Sequence, residues 1–118
     1  MQQAARPTST LTADQRRLLT TLKGLEEEEN WQGVVNLERE LLALATTVGG
    51  AVAAAMHGAL GNAFYGLGKY ARAREMHEKH KAMAEELGDR AGVARACGNL
   101  GNCYHSTGDY VRAREMIE

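Results

Sequence analysis

GALGNAFYGLGKYARAREMHE, residues 58–78, decides how this chain is read. GNLGNCYHSTGDYVRAREMIE, residues 98–118, follows it at an offset of 40. Twelve of the 21 aligned positions are identical, among them Leu60/Leu100, Gly61/Gly101, Asn62/Asn102 and Tyr70/Tyr110. A gapless match at a fixed offset marks an internal repeat, a unit that cannot bury its apolar face alone and must stack on its neighbours.

Outward from this pair, the apolar residues recur at helical spacing. Leu11, Leu18, Leu22 and Leu25 form one stripe, and Thr12 with Gln15 spells a capping box at its start. This predicts a first helix over residues 11–28. A second is expected over 31–48, with Val34, Leu37, Leu41, Leu44 and Val48 inward, ended by Gly49-Gly50. A third covers 51–66 and a fourth 70–87, the latter with Ala73, Met76, His80, Met83 and Leu87 inward. The fifth, 90–106, repeats the third, and the sixth starts at Tyr110 and is cut short at Glu118. Gly58 and Gly61 inside a helix cost roughly 1 kcal/mol each against Ala. Close approach of a neighbouring helix is the reason to keep them. The expected architecture is all-α, an α-solenoid of stacked antiparallel helix pairs, about two and a half repeats long. Residues 1–10 read as a disordered leader and 11–118 as the domain, divided into a divergent repeat (11–49), a repeat (50–89) and a truncated repeat (90–118).

Composition narrows the function. Of 118 residues 25% are charged and the net charge is -1, which points away from nucleic acid and from an anionic membrane surface. No apolar run approaches the roughly 20 residues of a membrane span. Cys97 and Cys103 lie about 9 Å apart along one helix and on different faces, too far to pair with each other. Reduced thiols suit a cytoplasmic location.

Leu60-Gly61-x-x-Phe64 with Ala73, and Leu100-Gly101-x-x-Tyr104 with Ala113, resemble the tetratricopeptide repeat. The period of 40, and the link MAEELGDRAGVARA, are similar to the long repeats of the Pins/LGN scaffold group and, less closely, of kinesin light chains. The resemblance implies a groove lined by the first helix of each pair. It implies that the Asn after Leu-Gly, Asn62 and Asn102, faces that groove and hydrogen-bonds an extended peptide. An amide donates and accepts together, which suits a peptide backbone; inheritance with a duplicated repeat is the plainer account. Tyr65, Arg95 and His105 fall on the same face. Arg95 either pairs with an acidic group of a partner or is simply solvated.

The expected function is therefore a non-catalytic scaffold that binds a protein or peptide partner. The alternative is an end segment of a longer array that associates with itself through Tyr110–Glu118. No cofactor is expected. His57, His77 and His80 raise a metal reading, but HEKH at 77–80 lacks the i,i+4 spacing of HExxH, and His77 becomes Ile117 in the next repeat. The cysteines read as small core fillers. No nucleophile set, phosphate loop or carboxylate cleft appears. Glu26–Glu29 reads as a solvated helix end, and Arg74–Glu78 and Arg114–Glu118 as surface i,i+4 pairs.

Overall fold

The computed structural model describes residues 11–117. The expected leader, 1–10, and the Arg114–Glu118 pair lie outside the described residues. Seven helices follow one another: α1 (Ala13–Glu27), α2 (Trp31–Asn36), α3 (Glu38–Val48), α4 (Gly50–Gly66), α5 (Tyr70–Leu87), α6 (Arg90–Ser106) and α7 (Tyr110–Ile117). Among the described residues there is no strand. Contacts run mainly between consecutive helices, with α4 also reaching α2 and α6. Short turns between packed neighbours make antiparallel hairpins, and their stacking is an α-solenoid.

Local chemistry sets the boundaries. Thr12 caps α1, its side chain accepting from the Gln15 N–H at 3.0 Å, while the Gln15 side chain accepts from the Thr12 N–H at 2.9 Å. Four helix ends share one closing geometry. The amides of Asn30, Lys69, Asp89 and Asp109 donate five residues back, to Leu25, Phe64, Ala84 and Tyr104, at 2.8–2.9 Å. Each such closure needs a left-handed residue just before it. Glycine supplies it at Gly68, Gly88 and Gly108, with φ of 76°, 71° and 84°. In the first pair Glu29 takes that role at φ 55°. Glu29→Gly is therefore expected to stabilise the protein by about 1 kcal/mol. An unchanged urea midpoint would show that the left-handed backbone costs nothing there. Three of the four closing residues then cap the next helix: Asn30, Asp89 and Asp109 accept from the N–H of Gly33, Gly92 and Arg112.

The expected second helix is two helices. At Leu37 the backbone leaves helical geometry (φ -94°, ψ 9°) and its N–H turns to Val34 O at 3.0 Å. Two β-branched residues and Asn36 precede the break, all weaker helix formers than Leu or Ala. The Asn36 side chain is held by Gln32 at 3.0 Å. The inward positions Val34, Leu41, Leu44 and Val48 are nonetheless buried.

α4 is the centre of the core. Eleven of its 17 residues are buried, so it has no polar stripe, and its small side chains let four helices close around it. Leu60, Ala63 and Phe64 join Leu41, Val34 and Met76 in one cluster, while Leu100, Tyr104 and Ala113 form a second towards α7. Cys103 is buried in the first cluster, as a core filler should be, whereas Cys97 is only half-buried; both are free thiols. Arg72 ties α5 to α3 by an ion pair with Glu38 and lies 4.6 Å from the Phe64 ring centroid.

Two expectations about individual side chains are corrected. Leu87 is 44% exposed rather than inward, because it ends α5 and the turn at Gly88 takes the chain away from it. Arg74 and Glu78 do not pair with one another among the described residues. Both are drawn to Tyr104 instead: Arg74 lies over its ring at 5.8 Å, and Glu78 accepts its hydroxyl proton at 3.4 Å.

Candidate functional site: two hollows along α4 and α6

The repeated Leu-Gly-Asn tripeptide puts its three residues in three environments. Leu60 and Leu100 are core, Gly61 and Gly101 are buried, and Asn62 and Asn102 are exposed. A helix turns 100° per residue, so an apolar residue two positions before a polar one places the polar one away from the core. The two Asn side chains border one hollow of about 320 Å³. Its walls come from three places: Trp31 at the start of α2, Asn62 and Tyr65 on α4, and Asn99 and Asn102 on α6, with His77 of α5 behind them.

Tyr65 is held in place from two sides. Its hydroxyl is 2.8 Å from Ser106 Oγ, and its ring lies 5.1 Å from that of Tyr70. Trp31 packs on Gly66, where a Cβ would overlap the indole. His77 packs on Gly61, where a Cβ would fall 2.5 Å from its Cε1. The imidazole is 1% exposed, and burial, with the neighbouring His80, pushes its pKa down to about 4. It is neutral at pH 7.

A second hollow of about 310 Å³ adjoins the first and shares Asn62 with it. Gly58, Met56 and Leu22 give it an apolar floor, Glu26 and Arg95 bring charge to its rim, and His80 adds an imidazole. Burial raises the Glu26 carboxyl, so this acid is not part of a solvated run; Glu27, Glu28 and Glu29 are exposed. Burial lowers the His80 pKa, with Arg95 acting in the same direction and Asp89 against it. Arg95 is 3.9 Å from Asp89 and keeps most of its surface in solvent.

Of the five residues singled out by sequence, Asn62, Asn102 and Tyr65 line the first hollow, and Arg95 lines the second with Asn62. His105 lines neither. It is exposed, its ring 5.0 Å from that of Tyr110 on the turn into α7. Trp31, Asn99, His77 and Glu26 were not singled out for this face. Asn99 was within reach of sequence reasoning, since it stands three residues before Asn102 on one helix face.

A tetratricopeptide repeat family profile matches residues 52–118, more than half of the chain. This chain belongs to the tetratricopeptide repeat family. Comparison with curated proteins and with solved structures gave no match. Tetratricopeptide repeats are in general protein-interaction modules, and here the two most similar repeats supply the Asn pair and most of the first hollow. Among the described residues no three His, Cys, Asp or Glu side chains gather where they could hold a metal ion. No helix among the described residues is long and apolar enough to cross a membrane.

Proposed function

We propose that this tetratricopeptide repeat chain is a non-catalytic scaffold module that holds a peptide segment of a protein partner along the face shared by α4 and α6. The observation that carries the reading is the position of Asn62 and Asn102. They come from different repeats, stay exposed mid-helix and border the same hollow. A helix surface without a ligand favours Ala, Glu or Lys at such places. Two amides spaced along a face can bond successive peptide groups of an extended chain. The repeat units behind this face are 11–49, 50–89 and 90–118. The 40-residue period of the second and third units, similar to that of the Pins/LGN scaffold group, supports a scaffold role. We infer a cytoplasmic location, where thiols that cannot pair with each other stay reduced.

The test is a display selection of random linear peptides on the purified chain, followed by Asn62→Ala with Asn102→Ala. The double variant is expected to lose about tenfold in affinity for the selected peptides. Its thermal melt should stay within a degree or so of the parent, since both side chains face solvent. Equal affinity of parent and double variant would refute the assignment of these residues.

One observation favours a second reading, in which the chain associates with itself. On α7, Tyr110 is 61% exposed, Val111 60% and Ile117 78%. Sedimentation equilibrium separates the two: a monomer at micromolar concentration removes the second reading, and a dimer lost in Val111→Glu supports it.

A further inference from the structure

The first hollow carries no charged side chain, and its wall is an apolar surface interrupted by amides. Its side chains are the carboxamides of Asn62, Asn99 and Asn102, the rings of Trp31 and Tyr65, and the imidazole of His77. The charged side chains of this face, Glu26 and Arg95, belong to the adjoining hollow. His77 is almost wholly buried, and its Nδ1 has no hydrogen-bond partner among the described residues. It stands at the back of the hollow because Gly61 leaves room for the ring.

The chemistry of the walls selects what fits. A carboxylate or an ammonium group entering here would leave water without meeting an opposite charge. An aliphatic side chain would rest on the rings but offer the three amides no hydrogen-bond partner. A carboxamide brings two N–H donors and an acceptor oxygen with two lone pairs, the complement of the amides around it. It is also flat, as the indole and phenol rings beside it are. Tyr65 is tied to Ser106 and its ring leans at 56° against that of Tyr70, so its wall is held before anything binds, and less entropy is lost on binding.

We propose that this hollow is the specificity subsite of the peptide-binding face, and that it takes a neutral carboxamide side chain, Asn or Gln, of the partner segment. The inference rests on the peptide-binding reading above and adds the chemistry of one bound side chain. Asn99, to which that reading assigns no role, is here a wall of the subsite.

The experiment is the selection of random linear peptides on the folded chain, followed by affinity measurements on synthetic copies of the winners. The selected peptides are expected to share Asn or Gln at one fixed position. Exchange of that residue for Glu, which has nearly the shape of Gln and a charge, should weaken binding by about tenfold or more. Leu at the same position should weaken it comparably. Asn99→Asp, which puts a charge on the wall with little change of shape, should lower affinity for the carboxamide peptide and shift selection towards Lys or Arg at that position. A shared position occupied by charged, aliphatic or aromatic residues overturns the subsite and leaves the peptide-binding reading standing. So does a Gln-to-Glu exchange with no change in affinity, a comparison that needs no protein variant. An absence of any selected peptide, from a chain with an intact thermal melt, overturns the peptide-binding reading and the subsite with it.

Discussion

Gly61→Leu is expected to destabilise the protein by about 3 kcal/mol or more. The Cβ alone would fall 2.5 Å from Cε1 of His77, 2.6 Å from Nε2 and 2.7 Å from Nδ1. Real Cβ atoms do not approach so closely, so either the ring or the helix must move. The ring is 1% exposed and packed from α5 onto α4, so moving it aside gives up that packing. Gly61→Ala meets the same three atoms and is expected to be destabilising as well, despite a gain of up to about 1 kcal/mol in helix propensity. Gly101→Ala should behave in the opposite way. Its added Cβ would stand 3.5 Å from Ala113 O and 3.6 Å from the Met116 Cβ, ordinary contact distances. That change is expected to be neutral or stabilising by up to about 1 kcal/mol. Urea midpoints at constant m-value measure all three. If Gly61→Ala and Gly101→Ala shift the midpoint alike, the imidazole is not what holds position 61 to glycine. A double-mutant cycle of Gly61→Ala with His77→Ala supplies the coupling directly: most of the loss should disappear once the ring is removed.

Acid should weaken the fold by about 3 kcal/mol through His77 alone. The group titrates near 6.5 when unfolded and at about 4 in the folded chain. Between these values the unfolded state binds a proton that the folded state refuses, so stability rises with pH there. The contribution is complete above pH 6.5 and is lost as the pH falls through about 4. At 1.36 kcal/mol per unit the difference comes to about 3 kcal/mol. The cause is burial first and the neighbouring His80 second. His80 is lowered as well and acts in the same direction, under the opposing influence of Arg95 and Asp89 and with His57 nearby. Glu26, whose carboxyl burial raises, works the other way and offsets part of the loss. Denaturant unfolding at a series of pH values, for the parent and for His77→Ile, makes the measurement. Isoleucine stands at the matching place of the next repeat, Ile117. The parent should lose stability towards pH 4 more steeply than the variant. Parallel curves would mean that His77 is protonated in the folded state without penalty.

Both results depend on an asymmetry between two repeats that look alike in sequence. Gly61 and Gly101 occupy the same place in the repeat, as do Asn62 and Asn102. The repeat and its Leu-Gly-x-x-aromatic pattern made the helix pairs and the family legible, because apolar spacing and small residues at a crossing are properties of one segment and its copy. The Asn pair was legible for the same reason. What stands behind each glycine was not. At position 61 it is an imidazole from α5; at 101 it is the backbone and aliphatic side chains of α7. Position 77 is His and position 117 is Ile, and only packing tells that the former fills a gap that the latter does not.

The interruption at Leu37 and the left-handed Glu29 were hidden for a related reason. Local preferences at Val34, Val35 and Asn36 are weak, and the packing of α2 and α3 on α4 chooses between one helix and two. Trp31 illustrates the distance involved. It stands at the start of α2, and its indole closes a hollow whose other walls lie on α4 and α6, 31 to 71 residues further along the chain. By itself the amino-acid sequence determined the helix pairs apart from the break at Leu37, the capping box at Thr12, the order in which the pairs stack and the recurring Asn pair, all consequences of short-range spacing and of a gapless repeat. Only the tertiary structure decided which side chains meet across that stack. Neutral His77 behind Gly61, half-buried Glu26 on the same hollow as Arg95, and three amides around one uncharged hollow bring distant segments together, and their energies come from desolvation and shape that no single segment carries.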